Sequence, residues 1–183
     1  MKPKCKIGYK QYDQHEGERF DPSRSTLIRN QSCALFNRML VNGYLRHILV
    51  RMTGESNKLY SLSNSLKNEV FLNAMDIGLK TVPLQRVVGL ENHCNDFDNQ
   101  FNPLTEQNRL RWLEFSDKVF YGDSLPVVEL IQIGQSYYAR DGHHQISISR
   151  SLGKIYIDAK EIVFQISKRT LQTDDPLKKT KEV

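Results

Sequence analysis

Residues 125–166 constrain the fold most, because they spell four elements in order with little chain between them. Leu125 to Ile133 is a strand, Gly134-Gln135 a tight turn, and Ser136 to Arg140 the returning strand of a hairpin. Asp141-Gly142 turns the chain into a helix over His143–Leu152, and Gly153 stands where a C-terminal helix glycine belongs. Lys154 to Ile166 is a final strand. Its apolar set is Ile155, Ile157 and Ala159, then Ile162, Phe164 and Ile166 after a register change near Lys160-Glu161.

Upstream the chain reads differently. Residues 1–24 are polar and predict a flexible arm closed by the turn Asp21-Pro22-Ser23. A helical pattern runs from about Ser25 to Met52, either broken at Gly43 or tolerating it. Leu45, Ile48, Leu49 and Met52 continue its apolar stripe, and Arg29, Arg38, Arg46 and Arg51 mark a basic side. Leu59 to Lys67 reads as a short helix, and Phe71, Leu72, Ala74 and Met75 as further apolar contacts. Residues 25–80 are therefore expected to be an N-terminal helical region. Thr81 to Gly89 is a strand, with Pro83 at its start or on a sheet edge. A polar loop follows over residues 91–103, then a helix from about Glu106 to Phe120 capped by Thr105 or Asn102. Residues 81–166 form the main domain, and 167–183 a charged tail expected to be disordered. The order of elements gives an α+β fold.

Bulk properties exclude some classes. No apolar run approaches the ~20 residues that span a bilayer. No apolar core follows the basic N-terminus, so a cytoplasmic protein with no membrane partner is expected. Cys5, Cys33 and Cys94 are scattered and odd in number, which argues against a disulfide framework or a zinc knuckle. A net charge of +5 is compatible with nucleic acid or nucleotide but is also an ordinary solvated surface.

The candidate site is the turn Arg140-Asp141-Gly142-His143-His144-Gln145. A helix N-terminus offers unpaired N–H groups and positive potential to an anion such as phosphate. Asp141 could be a general base or a Mg²⁺ ligand, or only a capping carboxylate in an Asp-Gly turn. Gly142 could allow close approach by a ligand or only supply a positive φ. His143 and His144, as neighbours in a first helical turn, are expected to diverge, one towards ligand and one into packing or solvent. They lack the i, i+4 spacing of a helical zinc pair. Glu91, His93, Asp96 and Asp98 form a second constellation, useful if their loop folds over the turn.

These residues also carry a resemblance. Val82-Pro83-Leu84, Leu125-Pro126-Val127-Val128-Glu129-Leu130 and Asp141-Gly142-His143-His144 through Leu152-Gly153 resemble, in order, three motifs of the ParB/sulfiredoxin-like superfamily. The likeness covers about 80 residues. It implies a small mixed sheet with helices, a strand–turn–helix phosphate site and a bound nucleotide. The turn is closest to the D-G-H-H-R spelling of the free-serine kinases. It matches neither the CTP-binding G-E-R-R of ParB proteins nor the G-C-H-R of sulfiredoxins. By that resemblance Asp141, His143 and His144 are catalytic candidates, and Gly142, His143, His144, Gln145 and Arg140 would bind nucleotide. ATP, ADP or CTP with Mg²⁺ would be the cofactor, in an NTP hydrolase or small-molecule kinase. Gln145 replaces an arginine that all three branches keep, and an amide lacks a guanidinium's charge-assisted phosphate contacts. Arg140 or Lys154 could compensate. Two other readings stay open: a DNA-binding or nuclease-like regulator using the basic N-terminal helices, and an interaction module on a degenerate site. A second copy of the chain is a further expected partner.

Overall fold

The computed structural model describes residues 21–54, 56–67, 69–92 and 95–168. Most of the expected arm (1–20) and tail (169–183) lie outside the described residues, as do His93 and Cys94. The fold is mixed α+β, with a six-stranded sheet and four helices among the described residues.

Helix α1 runs unbroken from Pro22 to Thr53. Asp21 Oδ1 accepts the Ser23 N–H at 2.8 Å, Pro22 opens the first turn, and Gly54 closes the helix in the left-handed conformation. Gly43 does not break it. A Cβ there would lie 2.6 Å from the Pro103 carbonyl oxygen, so the glycine lets the 91–103 loop rest on the helix backbone.

The next stretch corrects the expected helical region. Residues 59–67 are not one helix but a two-residue strand, β1 (Tyr60–Ser61), and a single turn, α2 (Leu62–Ser65). Residues 69–83 are strand β2, so the apolar set from Phe71 to Met75 is extended, and the expected boundary at residue 80 runs through a strand. Almost all of β2 is exposed, which is why it shows no alternation. Pro83 does lie on an edge strand, at its last residue rather than its start.

After a 3₁₀ turn (Leu84–Arg86) come β3 (Val87–Leu90), α3 (Arg109–Tyr121), β4 (Val128–Ile133), β5 (Ser136–Asp141), α4 (His143–Ser151) and β6 (Tyr156–Lys168). The strand order is β1-β3-β5-β4-β6-β2. β5 pairs antiparallel with β4 and parallel with β3; β6 pairs parallel with β4 and antiparallel with β2. The expected register change within β6 is absent: Val128↔Ala159 through Gln132↔Val163 run in step. The irregularities lie on β2, which slips between Phe71 and Asn73 and again between Asp76 and Gly78, the second opposite Ile162 and Glu161. Helix α3 begins later than expected. Its N-cap is Asn108, whose side chain does not cap it but donates to Asp96 Oδ2 at 2.6 Å.

One face of the sheet carries the main core, where Val128, Leu130, Tyr137, Ala139 and Ala159 meet Phe36, Trp112, Leu113, Ile146 and Ile148 of the helices. The other face has a small cluster of Leu62, Ile131 and Tyr138, flanked by Leu66, Val88, Ile133 and Phe164. Trp112 joins the helices: it packs edge-on to Phe36 and donates from Nε1 to Ser147 Oγ at 3.0 Å. That bond fixes α4 against α3, and with it the turn at the end of β5.

Candidate functional site

Helix α4 leaves β5 through Gly142, whose φ of 94° suits glycine. A Cβ at Gly142 would lie 2.4 Å from Val128 Cγ1, so packing also demands this residue. No side chain caps the helix. Asp141 Oδ1 instead accepts the N–H of Gly142 at 2.7 Å. The first intrahelical acceptor is the Gly142 carbonyl, which takes the Ile146 N–H. The backbone N–H groups of His143, His144 and Gln145 thus precede the ladder, the arrangement that favours an anion.

The two histidines do not diverge. Their ring centroids are 4.4 Å apart, and each ring meets the edge or face of Phe97 at 5.5 Å. The cause is Phe97, which the 91–103 loop delivers into the core and which both rings share. His144 is buried and also stacks on Phe115 at 6.3 Å, while His143 is half-buried. Burial pushes the His144 imidazole down to about 4, helped by His143 and Arg111 and opposed by Asp96 and Asp141. Burial likewise lowers His143; Asp141 and Asp96 oppose the shift and Arg111 reinforces it. Both rings are therefore neutral near pH 7. His144 Nδ1 is buried with no hydrogen-bond partner among the described residues.

The loop does fold over the turn, but its acids have separate roles. Asp98 is fully buried and accepts from Gln100 N, Asn102 N, Asn102 Nδ2 and Arg46 Nε, so it builds the loop. Glu91 pairs with Arg140 through two contacts of 3.1 Å. Only Asp96 acts on the histidines. Arg140 is thus engaged by Glu91, and Lys154 lies beyond the far end of α4, in a groove of about 670 Å³ with Arg150 and Gln85. The Gln145 side chain is buried, so what it can offer an anion is its backbone N–H.

The cation that does act on the histidines is Arg111 of α3. It is exposed, with its guanidinium 6.0 Å from the Phe115 ring centre. Sequence reasoning missed Arg111, Phe97 and Phe115 as site residues, although the length of the polar loop pointed towards Phe97. The basic side of α1 is largely spent inside the molecule. Arg29 pairs with Asp117 at 3.0 Å, Arg46 with Asp98 at 3.2 Å, and Arg38 donates to the Ser151 carbonyl.

Among the described residues no group of three or more His, Cys, Asp or Glu side chains is placed to hold a metal ion. None of their helices is long and apolar enough to cross a membrane. Compared with protein-family models, curated proteins and solved structures, the chain gives no match.

Proposed function

We propose that the chain binds a phosphate-bearing ligand, a nucleotide such as ATP, ADP or CTP, at the N-terminus of α4. One observation carries this reading. The uncapped start of α4 carries a buried imidazole with an unpartnered Nδ1, and Arg111 lies within electrostatic reach. The resemblance to the ParB/sulfiredoxin-like superfamily supplies the nucleotide, and a cytoplasmic setting fits it.

On this reading the N–H groups of His143, His144 and Gln145 take the phosphate oxygens. Arg111 supplies the charge that Gln145 lacks. His143, neutral and half-buried, accepts a proton from an attacking hydroxyl or water, and Asp141 stabilises the imidazolium that results. His144 positions its neighbour and the Phe97 loop, and its Nδ1 takes its missing partner from the bound ligand. The residues fit Mg²⁺ only as an ion carried by the phosphates, with Asp141 as the carboxylate beside it. The activity would be NTP hydrolysis or phosphoryl transfer to a small molecule.

Calorimetry with ATP, ADP and CTP, each with Mg²⁺, tests the reading. Saturable binding of at least one is expected. Absence of heat with all three at millimolar concentration overturns it.

A further inference from the structure

We propose that the exposed stripe on the C-terminal half of α1 is an interface with a second copy of this chain, the two helices packing antiparallel. This inference is independent of the nucleotide reading.

Val41, Tyr44, Leu45, Ile48, Leu49 and Met52 are 49–80% exposed. At about 100° per residue, Val41, Leu45, Ile48 and Met52 fall within one narrow strip, with Tyr44 and Leu49 on its two flanks. The strip points away from the body. Gly43 contacts Pro103 and Arg46 holds Asp98 on the opposite side of the helix. Six large apolar side chains on the side of α1 that no other described element covers need a cover. They expose on the order of 700 Å² from one protomer, close to the ~800 Å² that each partner contributes to a standard interface.

The pattern also says what covers it. The spacing of Val41, Leu45, Ile48 and Met52 is four, three, four, and it reads the same from either end. A two-fold axis between Leu45 and Ile48 therefore makes the strip complementary to itself, as an isologous interface requires. Leu45 then meets Ile48 of the partner subunit, and Val41 meets Met52 of the partner subunit. Charge selects the direction. Helix α1 contains no Asp or Glu. A parallel pair would set the exposed Arg51 at the same layer of the seam as Arg51 of the partner subunit. The antiparallel pair separates these guanidiniums along the axis and lays Arg51 beside Tyr44 of the partner subunit, where a cation can rest on a ring.

Sedimentation equilibrium of the full chain, up to about 100 μM, is the first test. A concentration-dependent dimer is expected. Leu45→Glu and Ile48→Glu should each raise its dissociation constant at least ~100-fold, since each buries a charge in the seam. At concentrations where the wild type is itself monomeric, their melting curves should match it, because both positions are exposed in the single chain. The second test fixes direction. In a background with Cys5 and Cys94 replaced by Ser, Val41→Cys with Met52→Cys should cross-link two copies on mild oxidation. The two positions lie about three turns apart on one helix and cannot bridge within a chain. Each single variant should stay uncross-linked. A wild type that is monomeric throughout overturns the proposal, and flotation of that monomer with anionic lipid vesicles would assign the strip to a membrane instead. Equal cross-linking by the single variants overturns the antiparallel arrangement.

Discussion

The two ends of β5 each bring a polar group into the core, and the two are treated differently. At its start, Tyr137 donates to Glu161 Oε1 at 3.3 Å, and Lys80 Nζ lies 2.9 Å from Glu161 Oε2. Glu161 is fully buried; its Oε1 accepts from Tyr137, while its Oε2 accepts no hydrogen bond among the described residues and is balanced by the Lys80 charge instead. Tyr137 is raised by burial first and by Glu161 second, so it stays a neutral donor; Lys80 is raised by its bond to Glu161 and stays charged. At the other end, the chain leaves β5 into the paired histidines, where His144 Nδ1 has no partner among the described residues. A buried polar group with partners holds the fold together. One without partners weakens the fold unless a ligand completes it.

Removing Glu161 should cost the most stability. Glu161→Ala leaves a cavity and strands the Tyr137 hydroxyl, which together cost on the order of 2–4 kcal/mol. Urea unfolding measures this, and nucleotide affinity should not change. If affinity falls with stability, the two ends of β5 are not separate.

His144→Phe should do the reverse. It keeps the ring packing on Phe97 and Phe115 and removes an unpaired nitrogen, so stability should stay within ~1 kcal/mol. Nucleotide affinity should fall at least ~10-fold if Nδ1 is a ligand contact. The same variant isolates a pH effect. Unfolded His144 titrates near 6.5 and folded His144 near 4. Between those values the unfolded chain binds a proton that the folded chain refuses. The stability held above about 6.5 is therefore lost as pH falls towards 4, and below 4 the loss levels off. Subtracting the pH–stability curve of His144→Phe from that of the wild type should leave this slope; a flat difference would mean the buried ring is not the group responsible.

The smallest effects on stability come from the two arginines near the turn. Arg111→Ala should weaken nucleotide binding ~10-fold and steepen no unfolding curve, because its charge is exposed. Arg140→Ala should leave affinity unchanged, since its fork already holds Glu91. Equal losses in the two variants would return Arg140 to the site.

Local chemistry made the second half of the fold legible. The hairpin around Gly134-Gln135, the Asp141-Gly142 turn and helix α4 all lie close to where the sequence predicts them, since neighbours in sequence decide them. Strand β2 was hidden because it is exposed on both faces and pairs with a strand near the end of the chain. Gly43 was ambiguous because what decides it is the Pro103 carbonyl, distant in sequence. At the site, the turn itself was legible. The convergence of the histidines and the presence of Arg111 were not, because a loop and a neighbouring helix create them.

The pairing of β2 with β6 has a consequence for how the chain is made. Glu69 finds its partner in Lys168 and Pro83 in Tyr156, so β2 leaves the ribosome long before β6, its neighbour in the sheet, exists. At ~5–20 residues per second, the wait is several seconds or more. During it Val70, Phe71 and Leu72 have no strand beside them. Lys80 and Pro83 make the waiting strand a poor template for a neighbouring nascent chain.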